Sequence, residues 1–132
     1  FLLAVLEDLR SGTCSVLEHR YLVDVERPHG LPTPLRQAPI TVGRPGFRDL
    51  DYPDYAMVVE LDGRAFHDGT YARDRDLERD LDARIDDDRH TFRLGWGQVV
   101  VRPCPTVIKL GRAFAARGWP GTVRRCPSCP PL

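Results

Sequence analysis

Apolar positions along this chain change period several times, and each change marks an element. Leu2, Leu3, Val5, Leu6 and Leu9 suit a short helix over residues 1–10, which "SGTCS" then breaks. Ser15 with Glu18 three residues on is a capping-box signature. The helix it opens carries Val16, Leu17, Tyr21, Leu22 and Val25 until Pro28 and Gly30 stop it. After the loop "RPHGLPTP" the period drops to two. "LRQAPITV" reads as a strand closed by "GRPG", "FRDLDY" as a second and "YAMVVELDG" as a third. Their short connections favour antiparallel neighbours. The third is apolar on both faces from Ala56 to Val59, which places it centrally in a sheet.

The helical period returns in "TYARDRDLERDLDARIDDD", with Leu77, Leu81 and Ile85 on one stripe and alternating charges elsewhere. "HTFRLGWGQVV" predicts a fourth strand. "CPTVIKLGRAFAARGW" predicts a closing helix, with Pro105 near its start and Gly118 at its end. The expected fold class is α/β, with a mixed four-stranded sheet flanked by helices.

A length of 132 residues suits one compact domain, here taken as 1–120, followed by a disordered Cys- and Pro-rich tail over 121–132. The first residue is Phe, which suggests a piece of a longer protein. The opening FLLAVL is too short to span a bilayer and shows no signal-cleavage pattern, so no membrane partner and a cytoplasmic location are expected.

Net charge is zero, yet all 19 acids lie at or before Asp88, and eight basic residues with no acid follow. Such a split is compatible with a polyanionic partner. It is equally compatible with composition bias, since 18 of the 19 basic residues are Arg and only Lys109 is Lys. The cysteines are Cys14, Cys104, Cys126 and Cys129. "CPSC" at 126–129 has the spacing of half a zinc site, but no second CxxC or CxxH pair completes it; the segment reads as a plain tail, with zinc or a disulfide as the alternatives.

The candidate chemistry lies in the acids around the third strand. Glu60 and Asp62, two residues apart, point to one side of the sheet. A tight turn would bring Asp49 or Asp51 alongside; the two share a face, so register alone does not choose between them. Converging carboxylates repel unless a hard cation sits among them, and Mg²⁺ or Mn²⁺ takes such oxygen ligands together with substrate phosphates. G-x-S-x-G, Walker and H-E-x-x-H motifs are absent from the sequence.

Over about residues 15–117 the chain resembles the PD-(D/E)XK nuclease superfamily, with its restriction-endonuclease-like fold. The nearest likeness is to a very-short-patch-repair-like group of small bacterial domains of unknown function. These often follow an abortive-infection antitoxin-like winged-helix region. The likeness rests on "SVLEHR", "RQAPITV", "FRDLDY", "VVELDGRAFH", "DLERDLD" and "FRLGWGQVV", in that order.

It implies a Mg²⁺-dependent DNA endonuclease in which Asp49, eleven residues before Glu60, is the first metal acid and Glu60 the second. Asp62 stands where most of the superfamily has a Lys, and this small-domain group commonly has Asp there. Glu18 matches a metal-assisting acid on the first core helix. His67 matches a His shortly after E-x-D-G, one residue later than the pattern. Asp76 and Arg79 match a D-x-x-R on the next helix. Without the Lys, His67, Gln37 or Arg93 would have to serve in its place, and Arg79 and Arg93 are the candidate phosphate contacts.

Each residue also has a plainer reading. Glu60 and Asp62 can flank a turn, Glu18 can be a cap, His67 a loop residue, and Asp76 with Arg79 a surface pair. A catalytically inactive nuclease-fold module for nucleic-acid binding or regulation is the alternative function, and a pure interaction domain a third.

Overall fold

A computed structural model describes residues 16–41, 45–62 and 70–130. The helix expected over 1–10, Cys14, Ser15 and the candidate His67 lie outside the described residues. Internal contacts group the described chain into two compact units: one runs to Thr33 and resumes at Trp96, and the other is Pro34–Gly95.

The first unit is helical. Its first helix, α1, begins at Val16–Arg20, widens over Tyr21–Glu26, where the Arg27 N–H reaches back five residues to the Leu22 carbonyl, and ends at Arg27–His29. Leu17, Tyr21, Val25 and His29 follow one another at four-residue spacing, and all four are buried. Gly30 closes the helix at φ 70, a left-handed conformation that glycine adopts without penalty.

The expected strand through "WGQVV" is corrected. Strand pairing stops at Gly95, and Gly97–Val101 coils into a wide helical turn closed by the Arg102 N–H on the Gly97 carbonyl at 2.8 Å. Thr106 Oγ1 lies within donating reach of the Gln98 carbonyl in this turn, at 2.7 Å, and of the Arg102 carbonyl just after it, at 2.8 Å. The closing helix is Pro103–Ala116, with Val107, Leu110 and Phe114 buried. Trp119 packs edge-on against Phe114, ring centres 5.9 Å apart.

Residues 121–130 belong to this same unit. They form no helix or strand, yet the Arg124 N–H donates to the His29 carbonyl at 2.8 Å. A methyl group at Gly111 would overlap Val123, so the bare glycine lets this segment lie on the helix.

The second unit is a four-stranded mixed sheet in the order β1 (Leu35–Pro39), β2 (Phe47–Tyr52), β3 (Met57–Asp62), β4 (His90–Gly95). The first two pairings are antiparallel and β3–β4 is parallel. A parallel pair needs a crossover, and α2 (Thr70–Asp87) supplies it. With the helix Pro103–Ala116 as α3, the chain is a mixed α/β protein. β3 is an interior strand as its apolar run predicts, and Met57, Val58 and Val59 are buried.

The stripe on α2 is the larger surprise. Leu77, Leu81 and Ile85 are 60%, 53% and 70% exposed, so this apolar face is not the buried one. The face turned inward carries charges matched by the sheet: Arg48 donates to Asp87 at 2.7 Å and Arg93 to Asp80 at 2.6 Å. Arg48 is itself buried and would be left costly without its acid, so ion pairing outweighs a three-residue stripe. Among the described residues, no helix is long and apolar enough to cross a membrane.

Candidate functional site

The antiparallel register of β2 and β3 pairs Leu50 with Val59, and one step further sets Asp49 against Glu60. The side chains interlock with the backbone. The Asp49 N–H donates to Glu60 Oε2 at 3.3 Å, and the Leu61 N–H donates to Asp49 Oδ2 at 2.8 Å. On the far side of β2 the register of β1 brings Gln37 opposite Asp49, and its Nε2 reaches Asp49 Oδ1 at 3.4 Å. Gln37 holds φ 49, a left-handed conformation uncommon for a residue with a Cβ.

This geometry resolves the choice that alternation leaves open. Asp51 shares the face of Asp49 but is buried against Arg89, whose Nε donates to Asp51 Oδ1 at 2.9 Å. It is therefore spent on structure, while Asp49 faces Glu60. Asp54 sits apart, exposed in the turn Pro53–Tyr55.

Glu60 is buried, and loss of hydration raises its pKa to about 8, with the charge of Asp49 adding to the rise. Arg79, 3.7 Å from Glu60 Oε1, pulls the other way without reversing it. A cleft of about 230 Å³ opens over these groups, with Asp62, Asp76 and Arg93 also in its wall. Arg93 is held by a two-pronged contact to Asp80 at 2.9 and 2.6 Å and lies 3.7 Å from Asp76. Burial lowers the Arg93 pKa, but Asp80 more than offsets this and the net shift is upward. Arg79 also donates to the Phe47 carbonyl at 2.8 Å.

No protein-family model, curated protein or solved structure matches this chain.

The structure brings together Asp49, Glu60, Asp62, Gln37, Arg79 and Arg93 from the sequence-derived set, with Asp76. Glu18 belongs to the other unit, buried on α1. Two buried or half-buried carboxylates, one of them favouring its proton, meet here across the β2–β3 pair. Sequence reasoning missed Asp80, the acid that fixes Arg93. It also missed His29 and Cys104, which lie with Cys126 and Cys129 in one cluster of the first unit. For His29 a signal exists: it extends the four-residue series of Leu17, Tyr21 and Val25. Nothing local marks Asp80 or Cys104.

Proposed function

We propose that the second unit carries a metal-dependent phosphodiesterase site of the restriction-endonuclease-like type, acting on DNA. The observation that supports it is the meeting of Asp49 and Glu60 across the β2–β3 pair, in a cleft shared with Asp62 and two arginines. In this reading Asp49, Glu60 and Asp62 hold Mg²⁺ or Mn²⁺, and Glu60 gives up its proton to do so. When bound, the ion lowers the pKa of a coordinated water and neutralises charge on the scissile phosphate. Gln37 and the Leu61 N–H orient Asp49 by hydrogen bonds to its two oxygens. Arg79, on the cleft wall beside Glu60, is the phosphate contact, and Arg93 contributes a second, more tightly held positive charge.

A second reading, nucleic-acid binding without turnover, is favoured by one feature. The lone lysine, Lys109, is on α3 in the other unit, and Arg93 is committed to Asp80. The unit that holds the acids therefore has no lysine to stabilise developing charge on a phosphate.

Plasmid cleavage by wild type, Glu60→Ala and Asp62→Ala in Mg²⁺ or Mn²⁺ separates the readings. Metal-dependent nicking by wild type that both variants lose supports the nuclease. Salt-sensitive DNA binding with no cleavage in either metal supports the second reading. Equal nicking by all three proteins points to a contaminant and removes the support for catalysis.

A further inference from the structure

His29, Cys104, Cys126 and Cys129 come from three parts of the first unit, the end of α1, the first turn of α3 and the C-terminal segment, and their donor atoms all lie within 4.8 Å of one another. The Sγ–Sγ separations are 3.1 Å for Cys104–Cys129, 3.4 Å for Cys126–Cys129 and 3.5 Å for Cys104–Cys126. His29 Nε2 is 3.5 Å from Cys129 Sγ. No disulfide joins the three cysteines. A tetrahedral zinc with Zn–S near ~2.3 Å and Zn–N near ~2.0 Å has edges of roughly 3.8 Å between sulfurs and roughly 3.6 Å from sulfur to nitrogen. The observed separations lie at or somewhat inside those edges.

The histidine is prepared as a ligand. Its Nδ1 is 2.9 Å from the Val25 carbonyl one turn back, and that oxygen can only accept, so Nδ1 carries the proton. Nε2 is then left with its lone pair facing the sulfurs. Metal-bound histidines are commonly fixed by such a second hydrogen bond. The C-terminal segment is shaped to the same end. The Cys129 N–H closes a turn on the Cys126 carbonyl at 3.0 Å with Pro127 in its second position, and the Cys126 N–H donates to Cys129 Sγ at 3.2 Å. Just upstream, Arg124 crosses Gly30, where a Cβ would come within 2.8 Å of Arg124 Nε.

We infer that His29, Cys104, Cys126 and Cys129 form a structural Zn²⁺ site that fastens the C-terminal segment to the ends of α1 and α3. Three thiols release three protons to solvent on binding, and the Zn(Cys)₃(His) centre carries a net charge of −1. Four protein ligands leave no open position, so the ion holds structure and does not activate water. Thiolates and imidazole select zinc over the hard cations that suit the carboxylate cleft.

The full chain, purified in reductant without chelator, is expected to contain about one zinc per molecule. The joint substitution Cys126→Ser with Cys129→Ser is expected to lose it, and Cys14→Ser to keep it. Since the double variant can fail to fold, a second readout uses wild type. Arg124 and Arg125 immediately precede the site, so trypsin is expected to release the C-terminal peptide at least tenfold faster after chelation, and added zinc to restore protection. Replacement by Co²⁺ is expected to give the visible bands of a tetrahedral thiolate centre. Wild type with no zinc above the buffer blank, and with tryptic release unchanged by added zinc, overturns the inference. So does recovery of a disulfide between any two of the three cysteines from zinc-supplemented protein. None of these readouts involves DNA, so they stand apart from the outcome for the carboxylate cleft.

Discussion

The two units gather polar side chains in opposite ways. In the helical unit, soft donors from residues 29, 104, 126 and 129 converge at one point, two of them on buried residues and two on half-buried ones. In the sheet unit, hard oxygen donors from residues 49, 60 and 62 line an open cleft with arginines beside them. The first cluster is assembled by chain segments far apart in sequence; the second is produced by two adjacent strands and a short turn. The proposed structural zinc would use a closed set of four donors, and the proposed Mg²⁺ or Mn²⁺ an open set with free volume above it. The energetic footing differs as well. The helical unit buries apolar side chains around Tyr21, Val25, Val99, Val107 and Phe114, whereas the sheet unit, besides its buried Leu50, Met57, Val58 and Val59, uses ion pairs to bury Arg48 and Asp51.

That contrast can be broken at its strongest point first. Phe114→Ala removes a fully buried ring and its edge-on partner, and is expected to cost about 3–5 kcal/mol in urea denaturation. Hydrogen exchange of the β3 amides should stay unchanged; equal loss of protection there would show that the two units are not energetically distinct. Arg89→Ala leaves Asp51 buried without its cation, and a cost of about 3 kcal/mol is expected. A cost below about 1 kcal/mol would place this pair among exposed ones and undo the claim that Arg89 offsets the burial of Asp51.

Glu60 gives a pH test. Its pKa rises from 4.5 to about 8 on folding, so between those values the folded protein keeps a proton that the unfolded chain has lost. Stability is therefore expected to fall as pH rises through that window in Mg²⁺-free buffer. Glu60→Gln should be less pH-dependent than wild type from about pH 5 to about pH 8.5, and saturating Mg²⁺ should reduce the wild-type slope. Thermal melts that run parallel for both proteins, with no Mg²⁺ effect, would remove Glu60 as a strained acid. The smallest effect belongs to the outward stripe on α2: Leu81→Gln is expected to change stability by no more than about 0.5 kcal/mol. A cost of about 2 kcal/mol would mean that Leu81 is covered in solution.

Much of the carboxylate cleft was legible before any coordinates, because its spacing is local. Glu60 and Asp62 share a face through strand alternation, and a short β2–β3 turn brings Asp49 near them. Alternation could not decide between Asp49 and Asp51, since it treats them alike; Arg89, thirty-eight residues on, made that choice by pairing with Asp51. The stripe on α2 misled for a related reason. Periodicity says that a helix has a face, but only the partner surface says which face turns inward, and here the sheet offers Arg48 and Arg93.

What the sequence determined by itself is therefore the succession of elements and the grouping of acids at the end of β3. Periods of two and of about 3.6, together with Pro and Gly stops, are properties of the covalent chain over a few residues. Only the tertiary structure decided that "CPSC" is accompanied by Cys104 and His29, because those partners are separated by 22 and 97 residues from Cys126. Their meeting depends on the path of the whole unit, on the glycine at 111 that lets the last segment lie against the helix, and on the bond from Arg124 to the His29 carbonyl. No local pattern encodes such a path, since closing a long loop leaves no period in the residues at its ends.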